Sequence, residues 1–265
     1  MFCPCPGAQS IMSNALTHNS DSAISSSGRR DVSIVIPCFN EAGNIDFVLN
    51  ELRDCLGRIP GLDSEVIAVD DGSNDGTIDI LRSSKKAMPS LRIVRLSRNS
   101  GQSAAFTAGF RHATGRWIVT MDADGQNDPA DIQQLLDNPG ECSCVCGYRE
   151  HRQDRWSKRT ASRIANVIRN MILGEDIRDS GCSLKAFDAR FVKGLQPWNG
   201  MHRFLPALVR MQGGTVRQVP VNHRPRRSGC SKYTNLGRLW RTLSDLRGVR
   251  WLQRRALIVN AEVDA

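Results

Sequence analysis

Apolar runs rich in β-branched residues alternate with helical patterns through the first half of the sequence. The predicted strands cover residues 32–37, 65–69, 91–96 and 118–121, and the predicted helices cover residues 44–56, 102–114 and a stretch that ends near residue 83. This alternation predicts an α/β fold with a mostly parallel central sheet flanked by helices. In such folds the loops at the carboxyl ends of the strands carry the ligand site.

Two of the predicted strands run out into carboxylates. Residues 118–126 read Ile-Val-Thr-Met-Asp-Ala-Asp-Gly-Gln, which places Asp122 and Asp124 just beyond a strand. Where a strand gives way to a loop, both side chains can converge on one hard cation that prefers oxygen ligands. The Asp-x-Asp pattern also occurs in solvated turns, so it needs support from its neighbours. Asp70 and Asp71 supply such support, because they follow another buried-type strand in the same way.

Length and composition suit one globular domain. The chain has 265 residues, of which 40% are hydrophobic and 24% charged, which is enough for a sizeable core. We expect this domain over residues 31–255, a disordered Ser- and Asn-rich extension over residues 1–30, and a tail over residues 256–265. The extension lacks the apolar core of a signal peptide. No run of about 18 apolar residues predicts a membrane-spanning helix.

Charge is distributed unevenly along the chain. Residues 1–140 contain 12 Lys and Arg side chains against 17 Asp and Glu, a net charge of −5, whereas residues 141–265 contain 24 against 10, a net charge of +14. A basic second half suits a phosphate-bearing ligand or an anionic membrane surface. Nucleic acid is the competing partner for a basic chain. Because no nucleic-acid-binding motif accompanies the basic residues, we predict no nucleic-acid partner.

The cysteines indicate a reducing compartment. There are nine of them, an odd number in a chain of ordinary size, which argues against a disulfide framework. Cys142, Cys144 and Cys146 alternate at the period of a strand, which favours a buried face on which thiols serve as small apolar groups. Their spacing differs from the paired pattern of zinc sites. We therefore predict a cytoplasmic protein without a cysteine metal site.

Five short motifs carry a family resemblance. They read IPCFNE (residues 36–41), VDDGSNDGT (69–77), SRNSGQSAAFTAGF (97–110), MDADGQ (121–126) and HRPRRSGCSKY (223–233). Together they resemble the family 2 glycosyltransferases of GT-A fold, and within them the branch of dolichyl- and polyprenyl-phosphate mannosyl- and glucosyltransferases. The resemblance covers residues 31 to about 255. It implies a Rossmann-like nucleotide-sugar half over residues 31–140 and a basic acceptor half of helices and loops over residues 141–255.

The resemblance also implies which residues meet the nucleotide of the donor. They are Pro37, Phe39, Glu41, Val69 and Asp71. Phe39 stands where Tyr is common, so it can stack but lacks the hydroxyl. Val69 matches a backbone contact to the base and is otherwise a core residue, whereas Asp71 matches a carboxylate that accepts from the base or ribose. We interpret the segment Asp75-Gly76-Thr77 as the start of the following helix.

By the same resemblance, Asp122 and Asp124 hold a divalent cation, and Gln126 coordinates it or orients its water shell. Oxygen ligands suit both Mg²⁺ and Mn²⁺. The cation would offset the charge that develops on the diphosphate leaving group. The other interpretation of Gln126 is a loop residue that faces water.

Four cationic side chains are candidates for binding the donor phosphates: Arg149, Lys185, Arg226 and Lys232. Arg149 is otherwise a solvated loop charge, and Lys185 lies in a segment with extra residues relative to the family pattern. Arg226 and Lys232 lie on a basic loop hinged by glycine. Since Arg can clamp a phosphate bidentately and Lys supplies a point charge, we assign both a catalytic role beside the two aspartates. The other interpretation is a basic loop that faces lipid head groups.

Residues 156–173 form a predicted amphipathic helix in which Arg159, Arg163 and Arg169 alternate with apolar residues. It can lie in a membrane interface with its arginines toward lipid phosphate, or it can be an ordinary helix packed on the sheet. The resemblance implies that this helix borders the acceptor site, where Arg159 and Ser162 match positions that hold a lipid phosphate.

The acceptor determines whether the reaction needs a general base. A lipid phosphate is anionic near neutral pH and needs no proton removed, whereas a saccharide hydroxyl does. Asp179 is the candidate base, and we interpret it as a structural or site-ordering residue. The family branch implies in-line attack with inversion of the anomeric configuration.

We therefore predict a metal-dependent, inverting transfer of a hexose from GDP-mannose or a UDP-sugar to a polyprenyl or dolichyl phosphate. The apolar and basic residues of 236–257 predict a peripheral position at the inner face of the membrane, although they could also dock on the catalytic domain or on an integral-membrane partner. Two alternatives stay open. One is a transferase that acts on a saccharide hydroxyl, and the other is a non-catalytic basic protein that binds lipid or nucleic acid.

Overall fold

The structure is a computed structural model that describes residues 30–137, 140–150, 156–225 and 235–257, and within 156–162 and 235–241 it describes the backbone alone. The strands are β1 (Val32–Cys38), β2 (Ser64–Asp70), β3 (Leu91–Arg95), β4 (Trp117–Thr120), β5 (Cys144–Arg149), β6 (Lys185–Asp188) and β7 (Val216–Val221). The helices are α1 (Ile45–Leu56), α2 (Thr77–Ala87), α3 (Gln102–His112), α4 (Asp131–Leu136), α5 (Trp156–Leu173), α6 (Ala189–Val192), α7 (Leu205–Met211) and α8 (Asn235–Gln253), and a 3-10 helix at Met201–Arg203 precedes α7. Residues 1–29 of the predicted extension lie outside the described residues, and the proposed domain boundaries stay predictions.

The strands form one sheet in the order β3-β2-β1-β4-β6-β5-β7. β1 is parallel to β2 and β4, β2 is parallel to β3, and β5 is parallel to β7. β6 is antiparallel to both of its neighbours, β4 and β5. Parallel pairings therefore predominate in the described part of the chain, and the predicted α/β fold with a mostly parallel sheet is confirmed.

The strand order reverses at β1. The chain adds β2 and β3 on one side of β1 and then crosses over to place β4 on the other side. A crevice opens at such a switch point, outside the carboxyl ends of the strands. The loops that follow β1, β2 and β4 therefore lie at this edge. β5 ends there as well, because β4 and β5 are both antiparallel to β6.

Helices cover both faces of the sheet. Along β1, Ile34 and Ile36 belong to one hydrophobic core and Val35 to another, as expected when successive side chains point to opposite faces. The first core receives an apolar stripe of α1, which consists of Ile45, Val48, Leu49, Leu52 and Leu56. Their spacing of three and four residues is that of one helix face. Each such side chain contributes about 1.5 to 3 kcal/mol when fully buried.

A glycine sets how closely α3 approaches the sheet. A Cβ atom at Gly109 would lie 2.2 Å from Cγ1 of Val35, which is far inside van der Waals contact. Phe106 and Phe110 on the same helix stack at 5.8 Å between ring centroids and fill the second core. The close approach brings the first turn of α3 to the edge that carries the carboxylates.

The sequence analysis ended the first strand at Pro37, whereas β1 continues to Cys38. The carbonyl of Val35 accepts from Met121 on the β4 side, and residues two apart on a strand face the same neighbour. Pro37 thus turns its nitrogen toward the β4 side beyond the last pair of that ladder, Val35 with Thr120. Because no ladder bond is required at this point, a proline fits within the strand.

The second helix is longer than predicted. It continues to Ala87 rather than ending near residue 83. The hydroxyl of Ser84 donates to the carbonyl of Ile80 at 2.9 Å, one turn back in the same helix. Thr77 begins this helix, as predicted, and its backbone N–H donates to the carboxylate of Asp75.

A third apolar cluster joins the two basic helices to the domain. It contains Leu173 at the end of α5, Phe204, Ala207, and Leu246 and Val249 of α8. Of the three docking surfaces considered for α8, the structure shows packing on the catalytic domain. None of the helices within the described ranges is long and apolar enough to cross a membrane.

Candidate functional site

Asp122 lies in the loop directly after β4, at the switch point of the sheet. Its carboxylate accepts from the side-chain amide of Gln102 at 2.9 Å, and its backbone N–H donates to Oδ1 of Asn127 at 3.1 Å. The same Asn127 oxygen accepts from the hydroxyl of Ser183 at 2.9 Å. The loop is therefore held from α3 on one side and from the segment before β6 on the other.

Asp124 and Gln126 complete the predicted metal site. The backbone N–H of Gln126 donates to Oδ1 of Asp124 at 3.1 Å, and Asp124 is 6% exposed. The side-chain nitrogen of Gln126 lies 3.3 Å from Nε2 of His223 and 3.4 Å from the carbonyl of Arg224. The structure thus brings Gln126 to the aspartates, and it adds the residues after β7 to the same loop cluster.

The two aspartates strain each other electrostatically. Burial, reinforced by the neighbouring charge of Asp124, raises the pKa of Asp122 to about 6. The charges of Lys185 and Arg149 act in the opposite direction and lower this pKa. The mutual repulsion of two adjacent, largely buried carboxylates is relieved by a bound divalent cation, and the positive charges of Lys185 and Arg149 relieve part of it in this structure.

The donor set fits a hard cation. Among the residues that the structure describes, no group of three or more His, Cys, Asp or Glu side chains is arranged around a common metal position. Asp122, Asp124 and Gln126 stay the predicted ligands, and their side chains offer carboxylate and amide oxygens. Such an all-oxygen set suits Mg²⁺ or Mn²⁺.

The loop after β1 is joined to the loop after β2. The backbone N–H of Asn40 donates to the hydroxyl of Ser73 at 3.0 Å, and that of Glu41 donates to Oγ1 of Thr77 at 2.9 Å. Asn40 has a φ of 53°, a left-handed conformation that Asn tolerates. The Glu41 carboxylate accepts from the side chain of Asn44 at 2.8 Å. Phe39, one residue earlier, is half-buried.

Asp71 ties β2 to the start of α3. Its two carboxylate oxygens accept from the backbone N–H groups of Ser100 at 2.7 Å and Gly101 at 2.8 Å. Burial raises the pKa of Asp71, and these two hydrogen bonds lower it. The neighbouring Asp70 is fully buried, with Oδ2 at 3.4 Å from Nε of Arg95. The predicted contact of Asp71 with the nucleotide stays a prediction.

The remaining nucleotide candidates lie on the strands themselves. Val69 is fully buried in the second core, and it pairs with Pro37 across β1 and β2. The side chain of Val69 therefore has a packing role, and the predicted contact concerns its backbone. Pro37 and Val69 each lie one residue before the end of their strand, at the edge of the sheet where the crevice opens.

Arg149 is paired with Asp179. Nε and Nη2 of Arg149 donate to the two carboxylate oxygens at 2.6 Å and 2.9 Å, and the backbone N–H of Gly181 donates to Oδ1 at 3.2 Å. Their side chains are 14% and 6% exposed. Arg149 is thus an oriented, largely buried cation rather than a solvated loop charge, and the geometry of Asp179 agrees with the interpretation of a site-ordering residue.

Lys185 opens β6 directly opposite Thr120 of β4. Its side chain is buried at 4% exposure, and its ammonium donates to the carbonyl of Cys182. The hydroxyl of Thr120 donates to the carbonyl of Ser183 at 2.6 Å. These contacts place the buried Lys185 side chain beside the last residue of β4, two positions before Asp122.

The residues after β7 are hydrogen-bonded to the loop that carries Asp124 and Gln126. His223 forms a bridge with Asn127, and the backbone N–H of Arg224 donates to the carbonyl of Gln126 at 3.0 Å. The Arg224 guanidinium meets Glu51 of α1 at 2.7 Å and Asp128 at 2.9 Å. This anchor immediately precedes the basic loop that carries Arg226 and Lys232, which lie outside the described residues.

On α5, the side chains of Arg159 and Ser162 also fall outside the described part of the chain. Arg169 corrects an expectation. It does not turn toward lipid, because it is 6% exposed, pairs with Glu175 at 2.9 Å and lies 5.7 Å from the ring centroid of Phe204. The exposed positions on α5 include Arg163 and four large apolar side chains, namely Ile164, Val167, Ile168 and Met171.

The sequence analysis missed several residues of the cluster: Gln102, Asn127, Ser183, His223 and Arg224. Gln102 and His223 lie inside the motifs that were recognised, so their position in the motifs was the available signal. Nothing in the sequence pairs Asn127 with Ser183, because this contact depends on how β6 returns beside β4.

The chain matches the model of the family described as "Glycosyl transferase family 2" over residues 33–195. It is 36% identical over 231 residues to a dodecaprenyl-phosphate galacturonate synthase of Rhizobium johnstonii, and the aligned region covers 84% of this chain and 68% of that protein. It is 35% identical over 205 residues to an undecaprenyl-phosphate 4-deoxy-4-formamido-L-arabinose transferase of Edwardsiella ictaluri, which covers 76% of this chain and 62% of that protein. The chain thus spans about two thirds of the length of these relatives.

Solved structures confirm the fold. Glucosyl-3-phosphoglycerate synthase of Mycobacterium tuberculosis in complex with UDP superposes with a TM-score of 0.63 at 18% identity, over 88% of this chain and 82% of that one. The same enzyme with Mn²⁺, UDP and glucosyl-3-phosphoglycerate gives a TM-score of 0.61 at 20% identity. The predicted GT-A architecture is therefore confirmed. The chain belongs to glycosyltransferase family 2 and is a glycosyltransferase of GT-A fold.

Proposed function

We propose that this chain transfers a hexose from a nucleoside diphosphate sugar to a polyprenyl phosphate at a membrane surface, with a divalent cation and with inversion at the anomeric carbon. The observation that carries the proposal is the position of Asp122 and Asp124 directly after β4 at the switch point, beside β6 with its buried Lys185 and next to β5, which ends in the largely buried Arg149. A ligand with two phosphates suits this arrangement, because one side of the site favours a metal ion and the other offers cations directly.

Asp122, Asp124 and Gln126 would hold Mg²⁺ or Mn²⁺, which when bound would supply Lewis-acid stabilisation of the diphosphate leaving group. The M. tuberculosis enzyme of the same fold has been crystallised with either Mn²⁺ or Mg²⁺ together with UDP, which supports this proposal. Gln102 keeps Asp122 in position through its 2.9 Å hydrogen bond. The alternative of a non-catalytic protein that binds lipid or nucleic acid is dropped, because the chain is a glycosyltransferase.

The nucleotide would lie over the joined loops that follow β1 and β2. In this proposal Pro37, Phe39, Glu41, Val69 and Asp71 line the base and ribose. The hydrogen bonds between these two loops keep the surface ordered without a ligand, which lowers the cost of binding.

The cationic side chains would receive the charge of the departing diphosphate. Arg149 and Lys185 are buried and held in place by Asp179 and by the carbonyl of Cys182. Preorganised cations stabilise developing charge without reorganising during the reaction. Arg226 and Lys232 are proposed to add to this clamp, on the loop that begins just beyond the Arg224 anchor.

Asp179 favours an acceptor that is already anionic. A general base must have an oxygen within reach of the acceptor proton. Both oxygens of Asp179 accept from Arg149, and one of them also accepts from Gly181. A carboxylate engaged in this way is a poor base, whereas a phosphate monoester needs none. Arg159 and Ser162 on α5 are proposed to hold this phosphate.

The outward face of α5 supports a membrane-bound acceptor. Ile164, Val167 and Met171 are 57%, 58% and 74% exposed and follow the spacing of one helix face. The opposite face carries polar side chains that bond to the domain, such as Asn166 to the carbonyl of Arg178 at 2.9 Å. An apolar stripe turned outward is typical of helices that lie in a membrane interface. We therefore propose a peripheral position on the cytoplasmic side of a membrane.

The relatives support the lipid phosphate. Both are named for a polyprenyl phosphate, and both carry an unusual sugar in their names, galacturonate in one and a formamido-arabinose in the other. The donor of this chain should therefore be sought among UDP-hexuronates as well as GDP-mannose and UDP-hexoses. An integral-membrane partner stays part of the proposal.

The test compares two acceptors that differ by one group. Purified protein is given a donor panel of GDP-mannose, UDP-hexoses and UDP-hexuronates with Mn²⁺. The acceptor is either a polyprenyl phosphate or the corresponding polyprenol, in detergent. We expect a sugar phospholipid from the first acceptor and no product from the second, because the hydroxyl needs a base. An oligosaccharide acceptor is added in a separate reaction, and product from it with neither lipid glycosylated would replace the proposal with the saccharide-acceptor alternative.

A further inference from the structure

Successive residues at the start of α3 reach three different parts of the protein. The backbone N–H of Gly101 donates to Asp71 at the end of β2, and the side chain of Gln102 donates to Asp122 at the end of β4. The next residue, Ser103, contacts the turn at 200–203, which lies almost 100 positions further along the chain. One helical turn therefore joins the nucleotide half of the enzyme to the basic half.

The contact at Ser103 is a buried and fully used hydroxyl. Ser103 is 4% exposed, and its Oγ lies 2.8 Å from Nδ1 of His202. The same oxygen accepts from the backbone N–H of Gly200 at 3.0 Å and, more weakly, from that of His202 at 3.5 Å. A hydroxyl has two acceptor positions and one donor. Since both acceptor positions are taken, the hydroxyl proton points to Nδ1, which assigns the neutral His202 ring with its proton on Nε2.

The turn at 200–203 is fixed from the opposite side by α8. Gly200 has a φ of 98°, and a Cβ atom there would lie 2.8 Å from Oδ2 of Asp245. Arg203 donates to the hydroxyl of Thr242 at 3.1 Å and faces Asp245 at 3.8 Å. Only glycine fits at this position without strain. The turn is thus held between Ser103 of α3 and two residues of α8.

We infer that Ser103 and His202 are positioning residues that align the acceptor side of the enzyme with the metal carboxylate Asp122. The link runs from Asp122 through Gln102 to Ser103, from there to His202, and then through Arg203 to α8, which packs with α5 against the third apolar cluster. The inference rests on the proposed function, because that function makes α5 and α8 the acceptor side. Loss of the hydrogen bond leaves donor binding intact and misaligns the acceptor, which slows transfer.

Four variants test the link: Ser103→Ala, His202→Ala, His202→Gln and His202→Asn. The Asn side chain places an acceptor oxygen near the position of Nδ1, whereas the Gln side chain reaches the position of Nε2. Ser84→Ala is the matched control, because it removes a helical hydroxyl that bonds to Ile80 of α2 at 2.9 Å and to Asp46 of α1 at 3.4 Å, away from the link. The rate is followed as release of nucleoside diphosphate, with and without polyprenyl phosphate.

We expect Ser103→Ala, His202→Ala and His202→Gln to lower the acceptor-dependent kcat by about ten-fold or more. The donor KM should stay within about two-fold of that of the wild type, since misalignment after binding acts on kcat. His202→Asn should recover most of the rate, and Ser84→Ala should match the wild type. A nitrogen-15 NMR spectrum should show an unprotonated Nδ1 for His202 in the wild type and loss of this signature in Ser103→Ala.

Two results would overturn the inference. One is a Ser103→Ala enzyme with the acceptor-dependent kcat of the wild type. The other is activity retained by His202→Gln and lost by His202→Asn, which would make Nε2 the group that matters. If polyprenyl phosphate does not stimulate the wild type, the proposed function fails, and the inference that rests on it fails with it. The wild-type rate thus separates the two failures.

Discussion

The guanidinium of Arg149 donates to both carboxylate oxygens of Asp179, at 2.6 Å from Nε and 2.9 Å from Nη2. This pair orients a cation toward the carboxylates after β4 and occupies the one residue considered as a general base. We therefore expect Asp179→Asn to destabilise the fold by about 3 kcal/mol, because it leaves a largely buried Arg149 unpaired. Urea unfolding followed by circular dichroism measures this change.

The same Asp179→Asn variant discriminates between the two acceptor classes. Removal of a general base costs about 10² to 10⁴ in rate, whereas loss of an orienting residue costs less. We expect the folded variant to retain more than about one hundredth of the wild-type kcat with polyprenyl phosphate. A loss of about 10⁴ in a folded variant would identify Asp179 as the base and favour a hydroxyl acceptor.

Asp122→Asn and Asp124→Asn should each abolish transfer without unfolding the protein. Each change removes an anionic ligand of the proposed cation, and loss of such charge stabilisation lowers kcat by about 10² or more. Their melting temperatures should equal or exceed that of the wild type, because each removes one of two mutually repelling carboxylates. Asp79→Asn on α2, whose side chain is 76% exposed, is the control and should leave both quantities unchanged.

A comparison of Gly72 with Gly76 separates the cost of backbone conformation from the cost of close packing. It has a φ of 72°, and a Cβ atom there would lie 2.7 Å from the backbone of Arg98 and Asn99, which leads into the Asp71 contact. Gly76 has a φ of 90° with nothing within 4 Å of such an atom. We expect Gly76→Ala to cost about 1 kcal/mol from backbone conformation alone. Gly72→Ala should cost at least about 2 kcal/mol, because backbone atoms must move as well.

The two glycine variants should also differ in their donor KM, and Gly72→Ala should again be the more affected. Gly72→Ala displaces the 98–101 loop and should raise the donor KM, whereas Gly76→Ala should not. Equal unfolding free energies for the two variants would show that the loop moves away at no cost, contrary to the packing described here.

Glu65 gives the fold a defined acid limit. Its carboxylate accepts from Ser33, from the backbone and hydroxyl of Thr114, and from Arg92, at 2.6 to 3.0 Å. Although burial acts in the opposite direction, these hydrogen bonds lower the pKa of Glu65 from 4.5 to about 2. The stabilisation is therefore fully present above pH 4.5 and is lost as the pH falls toward 2.

Urea unfolding as a function of pH measures this contribution. We expect Glu65→Gln to lower the unfolding free energy at pH 7 by about 2 to 3 kcal/mol and to flatten its decline between pH 5 and pH 2. Asp54→Asn, at an exposed carboxylate on α1, is the control and should keep the wild-type slope. A wild-type slope in Glu65→Gln would contradict the assignment of the acid limit to this residue.

The outward stripe of α5 predicts membrane binding that can be removed without loss of stability. Val167→Glu and Met171→Glu place a charge on side chains that are 58% and 74% exposed. Each should reduce co-sedimentation with anionic liposomes by several-fold, since it opposes both apolar insertion and electrostatic attraction. Ser83→Glu on the exposed face of α2 adds the same charge elsewhere and should bind like the wild type. Equal binding of all variants at low salt would exclude this stripe as the membrane contact.

Much of the fold could be predicted from local patterns. The run Val32–Cys38 and the helix Ile45–Leu56 follow from β-branched content and helical spacing, because both signals are contained within a few residues. Arg169 could not be placed in this way. An arginine within an amphipathic pattern suggests exposure, but Glu175 is brought to it by the turn that follows α5, and Phe204 by the packing of the segment that leads into α7.

In the site, too, residues within one motif could be predicted, whereas contacts between distant parts of the chain could not. Asp122, Asp124 and Gln126 were predicted from one motif to lie together after a strand, and they do share the loop after β4, while their role as metal ligands stays a prediction. The contact of Gln102 with Asp122 and that of Ser103 with His202 join positions 20 and 99 residues apart. Spacing alone does not predict contacts at such separations, since they depend on how α3 packs against the loop after β4 and against the turn at 200–203.

The most direct test of the proposed function is the formation of a sugar phospholipid from the donor panel and a short polyprenyl phosphate. The reaction is run with Mn²⁺ or Mg²⁺, then with a chelator, and then with the metal restored. The account predicts a product that appears with metal, disappears with chelator and returns when metal is added back. A product that forms equally well with excess chelator would contradict the role of Asp122 and Asp124, and the absence of any lipid product from a protein that binds donor would contradict the acceptor.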